Sequence, residues 1–309
     1  MLIILFMYAL TTLPLSKLLL TFTQPLYLIG LRMAIAGSIL LLYHYGWRTG
    51  FKRTARKHVW LCVQVTLFAI LVPYFLRYWG LMHAVTPRAD VWYMAGPLMT
   101  YLLTAWMGIE RMTWAKTGAL CIGYTGLLIS MGLPLHAYFE HACQWAELAI
   151  IASVLSFAYG WYCIRSLIVT YDYTPACVLG ISMLPAGLCA LALAYAYEPM
   201  KIVGDSQQFV LLLAAVIFVS NMTTHTLYAA LLQRYNLTFI QVCSLSVPLF
   251  MHLRDVMLGG QAFSLPLVLA LPCIVASIAL FWSAEYPVSF SNFYWYPKRR
   301  LHTSINEGN

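Results

Sequence analysis

Apolar residues arrive along this chain in long blocks, not in strict alternation with polar ones. Each block runs for about twenty residues, the length that carries an α-helix across a bilayer. Between blocks the sequence turns briefly polar, often around Pro, Gly or a cluster of Lys and Arg. The pattern predicts helices over residues 2–21, 25–43, 59–82, 86–107, 113–132, 145–166, 175–197, 207–231, 238–258 and 264–283. That makes an all-α membrane protein of ten transmembrane helices, with no stretch resembling a separate soluble domain. The first block follows Met1 with no basic region before it and no small-residue cleavage site after it. It is expected to be a span, not a cleaved leader.

An offset of 150 residues aligns the chain with itself. Pro25 meets Pro175, Gly30 meets Gly180, Met33 meets Met183, Ala36 meets Ala186 and Gly37 meets Gly187. At 151, Pro97 meets Pro248 and Gly108 meets Gly259. The Pro and Gly pairs carry the comparison, since each marks a special backbone position. Residues 1–133 and 145–284 are thus expected to be two five-helix repeats, with 285–309 as a basic cytoplasmic tail. Five is odd, so the second repeat must sit inverted relative to the first, an arrangement found in transporters. The expected motion rocks one half against the other.

Composition supports the membrane reading. Of 309 residues, 62% are hydrophobic and 9% charged, too few charges to cover a soluble surface. The net charge of +8 gathers in Arg48, Lys52, Arg53, Arg56 and Lys57, and again in Lys298, Arg299 and Arg300. Flanked by apolar runs, these clusters read as topology signals and not as a nucleic-acid stripe. With Arg111, Lys116, Arg165 and Arg234 they place both termini on the cytoplasmic side of an inner membrane. The opposite loops hold Lys201 with Glu140, Glu198 and Asp205. The eight cysteines form no C-x-x-C pair, so neither a metal site nor a disulfide frame is expected.

Three segments resemble the two EamA-type modules of the drug/metabolite transporter superfamily. They are "PLYLIGLRMAIAG", "AGPLMTYLLTAWMGIERMTWAKTGALCIGYTGLLI" and the weaker "VPLFMHLRDVMLGGQAFSLPLVLALPCIVASIAL". Gln261 stands where the module usually has Glu, as at Glu110. The resemblance implies a ten-helix bundle that moves a small metabolite. With "FLRYWGL" in the third helix, the chain is also similar to S-adenosylmethionine transporters of obligate intracellular bacteria.

Seven ionisable residues fall inside the expected outer half of the membrane: Lys17, Arg32, Arg77, Arg88, Asp90, Arg254 and Asp255. A charge at the bilayer centre costs ~3 kcal/mol or more, so it needs a polar cavity or a partner. Five cations against two anions leave an excess that a carboxylate or phosphate would neutralise. The repeat mates of Lys17, Arg32 and Arg77 are Leu167, Ser182 and Leu227, and Asp90 maps to Gln241. A scaffold that lacks these charges in its second half does not need them for folding, which points to a ligand role. The alternatives are snorkelling for Lys17 and Arg88, and internal pairs with Asp90 or Asp255 for Arg32 and Arg77. Arg254 and Asp255 are adjacent and are expected to need separate partners.

Aromatic and polar residues gather near these charges. Asn221, Thr224, His225 and Tyr228 stand at i, i+3, i+4 and i+7 of the eighth helix, a polar face in an apolar span. Tyr93 follows Asp90, and Tyr159 and Tyr162 lie on the sixth helix. Such a cavity suits a planar ring and a cation. His225 is read either as a proton relay or as a neutral hydrogen-bonding group. The expected substrate-binding set is Lys17, Arg32, Arg77, Asp90, Tyr93, Tyr159, Asn221, His225, Tyr228, Gln241 and Arg254.

These residues predict a secondary transporter for a small zwitterionic or anionic metabolite, with S-adenosylmethionine or a related amino-acid/nucleoside compound as the leading candidate. Its carboxylate would meet Arg32 or Arg77, its cation Asp90, its adenine an aromatic shelf. Exchange for a counter-substrate and coupling to protons both stay open. The alternative is an efflux pump for amino acids or aromatic and cationic drugs, which would prefer a negative cavity. An enzyme would need an acid–base or metal cluster, and none is present in the sequence. No cofactor and no nucleic-acid partner are expected; the partners are the substrate and the lipid bilayer.

Overall fold

The structure, a computed structural model, describes residues 13–48, 58–83, 92, 94–131, 145–198, 200–259 and 265–286. Within these the chain is helical and holds no strand. The helices are α1 (Leu13–Leu19), α2 (Pro25–Tyr43), α3 (59–83), α4 (Gly96–Trp106), α5 (Trp114–Met131), α6 (Trp145–Val169), α7 (Pro175–Tyr197), α8 (Ser206–Leu231), α9 (237–259) and α10 (Leu265–Glu285). Seven of them, namely α2, α3 and α6 to α10, are long and apolar enough to cross a membrane.

Helix starts follow local chemistry. Pro25 and Pro175 open α2 and α7, where their missing N–H groups cost nothing. Asp205 and Asn236 cap α8 and α9, their side-chain oxygens accepting from Gln207 N (2.8 Å) and Leu237 N (2.9 Å). α2 has no local side-chain cap. Instead the Glu198 carboxylate, at the end of α7, accepts from Leu26 N (3.2 Å) and Tyr27 N (3.1 Å). A distant anion thus satisfies the orphan donors and complements the helix dipole.

α2 and α7 cross in close, antiparallel contact through glycines. A Cβ added to Gly37 would lie 2.4 Å from Leu184 N, and one on Gly187 would lie 2.3 Å from Ala34 N. Gly30 packs on Leu191 and Gly180 on Leu41. Small residues let backbones approach where lipid offers no competing hydrophobic gain. α5 and α10 meet likewise, with Gly123 on Ser277 and Gly126 on Ile274. Gly160 of α6 sits against the backbone of Phe68 and Ala69 in α3.

Two buried cores result. The larger includes Leu28, Met33, Ala69, Ile164, Met183 and Val216, drawn from helices on both sides of residue 145. The smaller includes Tyr101, Leu120, Phe239, Ile274 and Phe281, from α4, α5, α9 and α10. Among the described residues, the closest backbone contacts join residues of one half to residues of the other.

Three of the described helices leave α-geometry in mid-course: α9 tightens to 3-10 over Ser244–Ser246, and two others carry π-segments. α3 is a π-helix over Thr66–Leu71 and α8 over Ile217–Thr224. Such segments change helical register and recur at functional sites.

Candidate functional site

Arg32 lies on α2 with 3% of its surface exposed. Its Nε and Nη2 donate to Asn221 Oδ1 at 3.4 and 3.2 Å, and Nη1 donates to Ser16 Oγ at 3.2 Å. Asn221, fully buried on the π-segment of α8, turns its amide nitrogen to Met33 Sδ at 3.3 Å. One guanidinium therefore ties α1, α2 and α8 together, and both Asn221 and Ser16 are neutral. Among the described residues no carboxylate meets Arg32, so these neutral hydrogen bonds leave its charge without a counter-ion there, which is costly in an apolar interior.

Met33, which follows Arg32 and accepts from the Asn221 amide, is in the wall of a small cavity that Arg32 and Asn221 do not themselves line. Met33, Tyr74, Phe157, Trp161, Met183 and His225 contribute to its wall, with Ala69, Ile70, Ile164 and Leu179 completing it. In this conformation it has room for about one water molecule. Phe157, Trp161 and Ile164 reach it from one face of α6, spaced i, i+4 and i+7. Trp161 packs edge-on against Tyr228 (centroids 4.4 Å apart, 63°) and near-parallel to His225 (6.2 Å, 26°). The π-segment sets this arrangement. His225 Nδ1 lies 2.8 Å from Ser220 O and Thr224 Oγ1 lies 2.8 Å from Val219 O, each reaching five residues back. The simple α-helical face expected from the sequence is therefore displaced, and Thr224 is turned onto its own helix.

The site residues read from sequence divide sharply. Arg32, Asn221, His225 and Tyr228 come together. Tyr159 does not join them: it lies two residues from Trp161, on another face of α6, and packs edge-on to Phe68 at 5.2 Å. Gln241 is buried on α9 with Oε1 3.4 Å from where a Cβ of Gly96 would stand, at the contact with α4. Arg77 is partly buried on α3, one turn beyond Tyr74, and is not part of the cavity wall. Arg254 donates from Nε to Asp255 Oδ1 at 2.8 Å, with Nη2 on the same oxygen. That corrects the expectation of separate partners, because the long arginine side chain folds around the helix to its neighbour. Asp90 and Tyr93 lie outside the described residues, and so does the side chain of Lys17.

Proteins named S-adenosylmethionine/S-adenosylhomocysteine transporter are 26% identical to this chain in Chlamydia muridarum and 25% identical in Chlamydia trachomatis, serovars L2 and D, each over 282 residues. These alignments cover 88% of this chain and 85 to 87% of the relatives. A solved crystal structure superposes with a TM-score of 0.73 at 20% identity, covering 89% of this chain and 93% of its own, which is a likeness of fold. No family model matches the chain.

Sequence reasoning passes over Trp161, which reads as one more apolar residue between two tyrosines. Its signal is the Phe157–Trp161–Ile164 stripe. It also misses a buried ion cluster. Lys116, 5% exposed, meets Glu110 Oε1 at 2.7 Å and also pairs with Glu285. Glu110 Oε2 accepts from Thr238 Oγ1 at 2.6 Å and from Thr104 Oγ1 at 3.3 Å. By sequence Lys116 reads as an exposed topology charge, but it holds α5, α9 and α10 to the loop after α4.

Proposed function

We propose that this chain transports S-adenosylmethionine, or a closely related amino-acid nucleoside, across an inner membrane by alternating access. The observation that carries the proposal is Arg32: a buried guanidinium held, among the described residues, by neutral groups, one of which, Asn221, also touches the wall of an aromatic cavity at Met33. A carboxylate arriving there would supply the missing negative charge and could be gripped by two N–H groups. Trp161, Tyr74 and Phe157 supply faces for a base or a sulfonium. The names of the chlamydial relatives point to the same molecule. In this reading Lys17, Arg77, Asp90 and Tyr93 stay in the substrate-binding set, with Asp90 meeting the substrate's cation.

The same proposal includes ten spans in two inverted halves with both termini cytoplasmic. Its support is a set of reciprocal contacts. Gly37 packs on Leu184 and Gly187 on Ala34; Gly30 packs on Leu191 and Gly180 on Leu41. A shift of 150 residues converts each contact into its mate, as expected for a two-fold axis crossing α2 and α7. A shift of 151 does the same for Gly123–Ser277 and Gly126–Ile274. The π-segments of α3 and α8 also fall at nearly matching positions. Because α2 and α7 run antiparallel, that axis lies across them, in the membrane plane. The π-segments then give α3 and α8 places to bend while the α2–α7 crossing stays fixed.

Uptake of labelled S-adenosylmethionine into proteoliposomes tests the function. The expected result is uptake that accelerates when the vesicles are preloaded with S-adenosylhomocysteine and is indifferent to an imposed proton gradient. Acceleration by the gradient alone would replace exchange with proton coupling. No uptake under either condition, from correctly folded protein, would refute the assignment.

A further inference from the structure

His225 and Trp161 hold an acceptor and a donor with no partner among the described residues. The Ser220 carbonyl, 2.8 Å from His225 Nδ1, can only accept, so Nδ1 carries a proton. In the neutral ring Nε2 is then a bare acceptor. Nδ1 is turned back onto its own helix, and His225 forms part of the cavity wall. Trp161 is 3% exposed and lines the same cavity. Its indole N–H has no acceptor among the described residues. Native interiors rarely leave a donor so, and the exceptions ask for a reason. The two rings lie near-parallel, 6.2 Å apart. The remaining wall is thioether, aromatic and aliphatic, with Met33, Met183, Tyr74 and Phe157 among its residues.

We propose that this pair reads the edge of an aminopurine, with His225 Nε2 accepting from the exocyclic amine and the Trp161 N–H donating to an adjacent ring nitrogen. The inference rests on the transport reading above and names the part of the substrate this subsite takes. Adenine offers a donor beside an acceptor, which complements the two protein groups. An oxopurine offers an acceptor where adenine has its donor and leaves Nε2 facing a lone pair. The ammonium of an amino-acid end is another N–H source, which a desamino analogue distinguishes from the base. Entry of the base requires the cavity to widen. Met33 and Met183, unbranched and adaptable, are the walls that yield.

The test is ligand-induced thermal stabilisation of the purified full-length protein in detergent, titrated with S-adenosylhomocysteine, its inosyl counterpart and its desamino analogue. For the wild type, the adenosyl ligand is expected to bind roughly 10- to 100-fold more tightly than the inosyl one. In His225→Phe and Trp161→Phe that ratio falls to about twofold or less, and His225→Gln, whose amide oxygen still accepts, restores part of it. Equal affinities in the wild type overturn the proposal without recourse to any variant, as does an unchanged ratio in both Phe variants. If His225→Phe instead erases discrimination against the desamino analogue, the histidine reads the ammonium and the aminopurine assignment falls. Adenosyl-selective binding without transport in vesicles would defeat the functional reading and leave this inference standing. No binding of either purine compound would overturn the inference itself.

Discussion

Arg32 and Lys116 are both buried cations, and their surroundings give them different work. Lys116 sits between two carboxylates, so its charge is spent inside the protein. Removing it would strand Glu110 and Glu285 in the interior. Lys116→Ala is expected to cost about 3–5 kcal/mol, read as a fall in thermal unfolding temperature in detergent. A Glu110→Gln change should cost less, since the neutral amide needs no counter-ion. Arg32 has its hydrogen bonds satisfied by Asn221 and Ser16, yet those partners leave its charge available. A lysine in its place keeps the charge but loses the planar fork. Arg32→Lys is therefore expected to lower S-adenosylmethionine transport by about tenfold or more while leaving the unfolding temperature within a few degrees. Wild-type transport in that variant would show that bidentate geometry plays no part.

Helix periodicity tells much at the level of elements, because long apolar blocks permit few alternatives. Described helices α2, α6, α7 and α10 start and end within a few residues of their expected bounds. The polar face of α8 is also legible, and Asn221, His225 and Tyr228 do gather near the cavity. The π-segments are not legible. They depend on which carbonyl each N–H finally chooses, and no residue pattern over 217–224 announces that choice. Tyr159 and Gln241 fall elsewhere than expected for a related reason: spacing alone fixes relative faces on one helix but not which neighbour each face meets. The α2–α7 crossing gives the sharpest element-scale expectation. Gly187→Val would drive side-chain atoms into the backbone of Ala34. It should cost about 1–3 kcal/mol or more through overpacking, visible as reduced yield of monodisperse protein and a lower unfolding temperature. Gly46 has open space beside it, and Gly46→Ala should be close to neutral.

For the whole molecule, the orientation proposed above is open to direct test. Arg111, Arg234 and Lys201 are all exposed; the proposal puts the first two on the cytoplasmic face and Lys201 on the opposite one. In a cysteine-free background, single cysteines at 111 and 234 should react with a membrane-impermeant maleimide only after the cytoplasmic side is opened. A cysteine at 201 should react in intact cells. Labelling of 111 and 201 from the same side would remove the inverted arrangement and with it the two-fold axis.

The most direct test of the role given to Arg32 compares uptake of S-adenosylmethionine with uptake of its decarboxylated form, in the wild type and in Arg32→Ala. The wild type should prefer the carboxylate-bearing molecule by roughly 100-fold, and the variant should lose that preference by slowing the first compound and sparing the second. Equal uptake of both compounds by the wild type, or a preference that survives in Arg32→Ala, would contradict it.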